Sequence, residues 1–282
     1  MSKPERIQKI LARSGHGSRR QIEQWIREER LQVNGRVARL GDCINPADTV
    51  LLAGKKLRLS AAEQVPCRVL LYHKPVGEIC SRSDPEHRPT IYQRIPPARV
   101  GRWIAVGRLD INTSGLLLMT TDGELANRLM HPAAGIEREY AVRVRGEVTR
   151  DIVQRLKQGV DLEDGRAAFD DIRAGGGMGT NQWYHVVLKE GRKREVRRLW
   201  EALGLQVSRL VRVRFGSLLL PREVRPGHWV ALDDAAVRTL RESVDLTADA
   251  VSSPLSPVSL HHRRRAAGHG KRITPGKGRR RR

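Results

Sequence analysis

Apolar residues change their spacing several times along the first sixty positions. In KPERIQKILAR (3–13), Ile7, Ile10 and Leu11 recur at helical spacing. In RRQIEQWIREER, Ile22, Trp25 and Ile26 fall on one face. The pattern predicts two short helices. Ser18, just ahead of the second, carries the hydroxyl that caps free amides, and Arg19 and Arg20 lead that helix's polar face. LQVNGRVA then alternates around Asn34 and Gly35, a pair that accepts the left-handed backbone of a tight hairpin. DTVLLAGKKLRL continues as strand. Two helices and a hairpin with a basic face make either a nucleic-acid-binding module or an ordinary small helical subdomain. Local pattern leaves both open.

SAAEQVPCR (60–68) reads as a linker. From 69 to about 240, strands and helices alternate densely. VLLYHKP, RWIAVGR, GLLLMTT, REYAVRVRG, QWYHVVLKE, SRLVRVRFGSLLL and HWVAL read as strands. Helices are expected at GELANRLMH (capped by Asp122), TRDIVQRLKQG (capped by Thr149), REVRRLWEALG and DDAAVRTLRE. Hairpin-joined strands with helices between them predict an α+β domain around a mainly antiparallel mixed sheet. The run GGGMG (175–179) lacks the Gly-Lys-Ser/Thr of a phosphate loop and reads as a flexible connection. Beyond 245 no period survives, and a segment rich in Ser, Pro, Gly and Arg cannot offset its ordering entropy by burial. Three segments follow: a small module at 1–62, a larger domain at 66–243, and a disordered basic tail at 244–282.

Charge sharpens this picture. The 282 residues are 39% hydrophobic with a formal net charge of +22. Residues 261–282 contribute ten Lys/Arg and no acid, which leaves 43 basic against 31 acidic residues over 1–260. Such a charge repels itself unless an anion neutralises it, and a nucleic-acid backbone is the usual one. No apolar run approaches the roughly 20 residues that span a bilayer. MSKPERIQKI lacks the apolar core of a signal peptide, so a cytoplasmic protein is expected. Cys43, Cys67 and Cys80 share no metal-type spacing and read as buried or idle thiols, with no metal site.

One stretch carries candidate chemistry. VGRLDINTSG (106–115) sets a carboxylate, Asp110, two residues from Arg108 in a Gly-bounded polar loop between apolar strands. Asp110 either caps a turn or is the centre of a reaction, since flanking strands hold such a loop rigidly.

Residues 6–38 resemble the small RNA-binding domain first described in ribosomal protein S-four, which favours RNA over DNA. HKPVGEICSRSDPEHRPTIY, AVGRLDINTSGLLLMTTDGELANRLMHP, EREYAVRVRG and EGRKREVRRLWEALG occur in the order seen in pseudouridine synthases that modify ribosomal RNA. They are most similar to the RsuA subfamily, on the side of its members acting on large-subunit RNA. The resemblance spans nearly the whole chain except the tail. It implies a pseudouridine synthase catalytic domain in which Asp110 acts on the target uridine. Tyr140 would pack against the base, and Arg197 would pair with the aspartate. Arg108 would contact RNA near the emptied base position, and Lys74 and Pro75 would be structural. Arg19, Arg20, Lys193 and Arg194 are the further RNA-binding candidates.

The isomerisation breaks a glycosidic bond, turns the base and rejoins it through carbon, so no metal or cofactor is required. A carboxylate kept charged in a closed pocket needs a fixed cation, and a guanidinium suits because it does not lose its proton. The flipped base costs a few kcal/mol to unstack. Stacking on an aromatic ring such as Tyr140 returns roughly 1–3 kcal/mol. His73 and His131, each beside a proline, read as loop packing, and Asp122 as a helix cap. Glu190, Glu195 and Glu201 balance nearby charge, and Trp183 and Tyr184 read as strand residues, the second with a possible place in a pocket. The expected partner is ribosomal RNA, with the chain acting as a monomer. The alternatives are a non-catalytic RNA-binding or ribosome-assembly factor, a small-subunit RNA pseudouridine synthase, and a nonspecific DNA binder.

Overall fold

A computed structural model of the chain describes residues 4–60, 65–178 and 181–246. At the N-terminus β1 (Glu5–Arg6) precedes α1 (Ile7–Arg13) and α2 (Arg19–Arg27). The first helix begins at Ile7, where its apolar spacing begins, and Glu5 and Arg6 just ahead of it pair with a strand downstream. Ser18 caps α2 in a reciprocal arrangement: its hydroxyl accepts from the Gln21 amide at 3.1 Å, and the Gln21 side chain accepts from the Ser18 amide at 3.4 Å. The strands that follow are β2 (Leu31–Val33), β3 (Arg36–Val37), β4 (Cys43–Ile44), β5 (Val50–Leu52) and β6 (Lys55–Leu57). β4 is the partner of β1, and the others form an antiparallel sheet in the order β3-β2-β5-β6. Asn34 and Gly35 both have positive φ (49° and 82°), as the hairpin signal requires. Ala53 and Gly54 repeat that turn (47° and 79°), which splits the expected single strand into β5 and β6. Ile7, Ile10, Leu11, Ile22, Ile26 and Leu31 close this unit's core.

The larger unit contains β7 (Val69–Lys74), β8 (Ile104–Ala105), β9 (Ser114–Thr120), α3 (Gly123–Met130), β10 (Arg138–Arg145) and α4 (Arg150–Gln158). It continues with β11 (Val160–Leu162), β12 (Gly165–Ala167), β13 (Asp171–Met178), β14 (Asn181–Leu188), α5 (Glu195–Glu201) and β15 (Gln206–Phe215). β16 (Leu218–Leu219), β17 (Trp229–Ala231) and α6 (Asp234–Glu242) complete it. The main sheet runs β13-β14-β10-β15-β9-β7-β17, with β16 and β8 attached at its sides. Every pairing is antiparallel except β15 with β9, so the expected α+β architecture is present. One core cluster joins α4 and α5 to β10, β14 and β15. A second lies with α3 and α6 against β7 and β9, and a third covers the other side of β7 and β9.

Several local expectations fail for physical reasons. Gly175, Gly176 and Gly177 lie inside β13, not in a connection: pairing with β14 through a bulge uses their backbone, and a Cβ at Gly177 would press on Gln182. Gly179 of that run, like residues 61–64 of the expected linker, lies outside the described residues. Val65 and Cys67 of the same linker are buried. RWIAVGR yields only Ile104–Ala105, because Gly107 turns the chain at φ 75°. Val244 and Leu246, assigned to the tail, pack into the core with α3 and α6, and Arg128 binds the Val244 and Asp245 carbonyls. The tail from 247 onward lies outside the described residues.

Candidate active site

The register of the main sheet aligns one transverse row. Lys74 on β7 faces Gly115 on β9, Gly115 faces Arg212 on β15, Arg212 faces Tyr140 on β10, and Tyr140 faces Val186 on β14. Cross-strand partners point to the same side of a sheet, so Lys74, Arg212 and Tyr140 share one face. Gly115 sits between the two cations. Its φ is 111°, and a Cβ there would lie 2.5 Å from the Arg212 nitrogen and closer still to the Arg212 oxygen. Only glycine lets β9 and β15 approach so closely at this point.

The loop before β9 is held carbonyl by carbonyl. The Asp110 carbonyl accepts from the Thr113 amide at 3.0 Å and from the Lys74 ammonium at 3.1 Å. The Ile111 carbonyl accepts from the Gly77 amide at 2.8 Å. The Asn112 carbonyl accepts from Arg197 Nη2 at 2.9 Å. The Thr113 carbonyl accepts again from Lys74, at 2.9 Å. Lys74 is fully buried and directs its third N–H to the Pro75 carbonyl at 2.9 Å, so its three donors all have partners. Burial pulls its ammonium below the usual lysine range, while the charges of Cys80, Glu78 and Asp110 act the other way. Cys80 brackets the residue before Asp110, its Sγ lying 3.4 Å from both the Leu109 amide and carbonyl.

With the backbone fixed this way, the Asp110 carboxylate itself has no hydrogen bond or ion pair to the described residues, although the residue is half-buried. The turn is closed by the Asp110 carbonyl, so the turn-capping alternative does not describe its side chain. Arg197 reaches this loop from α5. It is buried, binds the Val207 and Asn112 carbonyls at 2.8 and 2.9 Å, and leaves Nε without a partner. Burial and the Arg194 charge pull its guanidinium down, and the Asp110 charge opposes them. The expected direct pairing of Arg197 with Asp110 is therefore an electrostatic one. Its hydrogen bonds go to backbone carbonyls, Asn112 on the loop and Val207 on β15. Tyr140 is half-buried on β10 and packs against the core on both sides of the β15–β9 junction.

Arg212 was not anticipated. It is buried, its Nε donates to the Leu116 carbonyl at 2.7 Å, and its Nη2 has no partner among the described residues. Strict alternation would place it on the same face as Arg214. A bulge at Val213 moves the pairing from Glu139–Arg214 to Tyr140–Arg212, which turns Arg212 inward beside Tyr140.

The remaining candidates divide by position. Arg108, Arg19, Arg20, Lys193 and Arg194 are exposed, and Arg194 makes a 3.4 Å ion pair with Glu201. Arg19 and Arg20 begin α2, in the N-terminal unit rather than beside the loop. Glu190 pairs with Arg192 at 2.6 Å, and the Glu195 carboxylate accepts from the Arg192 amide. His73 Nδ1 lies 2.6 Å from the Val224 carbonyl and His131 Nδ1 accepts from the Ala133 amide, so both tie loops down. Asp122 caps α3 and pairs with Arg241. Tyr184 is buried against Trp200, with ring centroids 5.3 Å apart, and its hydroxyl donates to Gln182. Trp183, its neighbour in β14, is half-buried.

Comparison with known proteins places this arrangement. Residues 68–202 match the RNA pseudouridylate synthases and residues 5–50 match the S4 domain. A Yersinia pestis protein named ribosomal large subunit pseudouridine synthase B is 55% identical over 262 residues, which cover 92% of this chain and 82% of that protein. The chain belongs to the RNA pseudouridylate synthase family. The protein of the same name from Escherichia coli strain K12 is 55% identical over 250 residues, 88% of this chain and 86% of its own length. A solved pseudouridylate synthase superposes with a TM-score of 0.59 at 25% identity, over 83% of this chain and 99% of its own. The resemblance read in the motifs, the α+β class and the S4 unit at the N-terminus are thus borne out. In this pseudouridylate synthase, the aspartate of the GRLD motif stands on the clamped loop over the sheet row.

Proposed function

We propose that this chain isomerises uridine to pseudouridine in ribosomal RNA of the large subunit, with Asp110 as the reacting carboxylate. The observation that carries this reading is the Asp110 side chain without a partner among the described residues, on a loop whose four successive carbonyls are all held. A carboxylate serving structure would spend its oxygens on nearby amides or guanidinia. This one keeps both for a substrate, with its position set in advance.

The reaction breaks the N1–C1′ bond, turns the uracil, joins C5 to C1′, and moves one proton from C5 to N1. It transfers no electrons and no phosphoryl group, so the protein need only hold the sugar, the freed base and the charge that develops. Arg197 and Lys74 supply fixed positive charge toward Asp110. Tyr140 offers a ring against which the flipped uracil stacks. Arg108, exposed two residues away, meets the RNA beside the emptied position. Lys193 and Arg194, at the turn into α5, and Arg19 and Arg20 on α2 bind the RNA backbone. The enzyme works in the cytoplasm as a monomer on RNA free or in partly assembled subunits.

Asp110→Asn tests this directly, since it removes the charge and almost no volume. Pseudouridines in large-subunit RNA are mapped by carbodiimide labelling and primer extension, and RNA binding is measured alongside. The expected result is loss of the modification with RNA affinity retained. Modification at the wild-type level would refute the assignment of Asp110.

A further inference from the structure

A cleft of about 440 Å³ lies where the S4 unit meets the catalytic unit, lined by Gly15, Arg82, Tyr92, Pro96, Arg102 and Trp103 among others. Its walls are in close register. A Cβ at Gly15 would come 2.9 Å from the Gly101 carbonyl oxygen, and one at Gly101 would come 3.1 Å from the Arg13 oxygen. The loop after α1 therefore rests directly on the loop before β8.

Arg102, in that second loop, is the anomaly. It is half-buried, makes no hydrogen bond or ion pair among the described residues, and its Nε is shut away without a partner. Arg82 at least has a place: it donates to the Trp103 carbonyl and lies over the Tyr92 ring, 4.2 Å from the centroid. Burial, the Arg82 charge and the Arg19 charge all pull the Arg102 guanidinium down, the Tyr92 phenol opposes them, and no carboxylate among the described residues pairs with it. A half-buried guanidinium with cationic neighbours and no acceptor among the described residues costs stability in the free protein. Such a guanidinium is suited to pairing with an anion.

We propose that this cleft binds a backbone phosphate of the substrate RNA, with Arg102 as the principal contact and Arg82 beside it. A phosphate supplies the acceptors that Arg102 lacks and matches a guanidinium's paired donors. Gly15 of the S4 unit lines the cleft together with Arg82 and Arg102 of the catalytic unit, so one phosphate held there would lie against both units and fix how the S4 unit presents RNA. The inference rests on RNA being the substrate, and its test separates binding from turnover.

The test compares Arg102→Met with the wild-type full chain. Affinity for protein-free large-subunit RNA is measured over a range of salt, with kcat at saturating RNA and thermal unfolding of the free proteins. The expected affinity loss is about tenfold, and the slope of log affinity against log salt becomes shallower by about 0.7–0.9, one phosphate's share. The kcat at saturating RNA should be unchanged. Tm should equal or exceed that of the wild type, because an unpaired half-buried charge has gone. Unchanged affinity and slope would overturn the proposal and leave the cleft to some other anion. A fall in Tm with no change in RNA affinity would overturn it too, by making Arg102 structural. Wild-type protein that binds this RNA without modifying it would count against the proposed activity and not against the cleft.

Discussion

Gly115→Ala is the sharpest test of how this fold builds its site. Two costs add at that residue. Its φ of 111° is a region side chains rarely adopt, and holding alanine there costs about 1–3 kcal/mol. The new Cβ would also lie 2.5 Å from the Arg212 nitrogen and 2.9 Å from the Arg212 carbonyl carbon, backbone atoms that cannot swing aside. Forcing β15 away from β9 adds about 1–3 kcal/mol, as overpacking does elsewhere. The sum centres on about 4 kcal/mol, which at about 2–4 °C per kcal/mol lowers Tm by roughly 8–16 °C. Gly135→Ala is the control: its φ is 56°, and nothing lies within 4 Å of its Cβ position. It carries only the left-handed penalty of about 1–2 kcal/mol. Thermal unfolding of both variants gives the comparison. At 25 °C Gly115→Ala should remain folded but lose more kcat than RNA affinity, because Arg212, Lys74 and the Asp110 loop meet across this junction. Equal Tm losses in the two variants would refute the close-approach argument. An unchanged kcat would show that the sheet row does not set the site.

Two further predictions concern buried groups. Lys74→Met keeps most of the volume but strips donors from the Pro75, Asp110 and Thr113 carbonyls, of which, among the described residues, only the Asp110 oxygen keeps a second partner. Unmet acceptors cost about 1–3 kcal/mol each, so a Tm drop and a kcat loss larger than any change in RNA affinity are expected; a kcat at the wild-type level would mean the loop holds without Lys74. The thiols should separate on alkylation with iodoacetamide at pH 8, read by mass spectrometry. Cys43 is exposed, while Cys67 is buried with its thiol pushed up to about 11 by burial, and burial raises Cys80 as well. One fast alkylation at Cys43 is expected, and equal rates at all three would contradict the burial described.

What could be read from the sequence divides along a physical line. Elements whose causes are local were legible: Ser18 and Gln21 cap α2, Asn34 and Gly35 turn the first hairpin, and Asp122 and Thr149 start their helices. Each depends on residues within a few positions. Asp110 was found by its motif, but what makes its carboxylate distinctive is not local. The donors that clamp its loop come from Lys74, Gly77 and Arg197, between 33 and 87 positions from Asp110, and only the fold brings them together. Arg212 marks the limit most clearly. In SRLVRVRF, period-two reading puts Arg212 and Arg214 on one solvent face. The pairing with β10 skips a residue twice, between Arg143 and Val144 and again between Glu139 and Tyr140, and each skip resets which residues point inward. The buried set on β15 is accordingly Val207, then Leu210 and Arg212, then Phe215. A bulge is decided by two strands at once, so one strand's pattern cannot announce it. The residues that β15 turns inward through its bulges include a cation beside Tyr140, and a strand without them would have placed that charge in water.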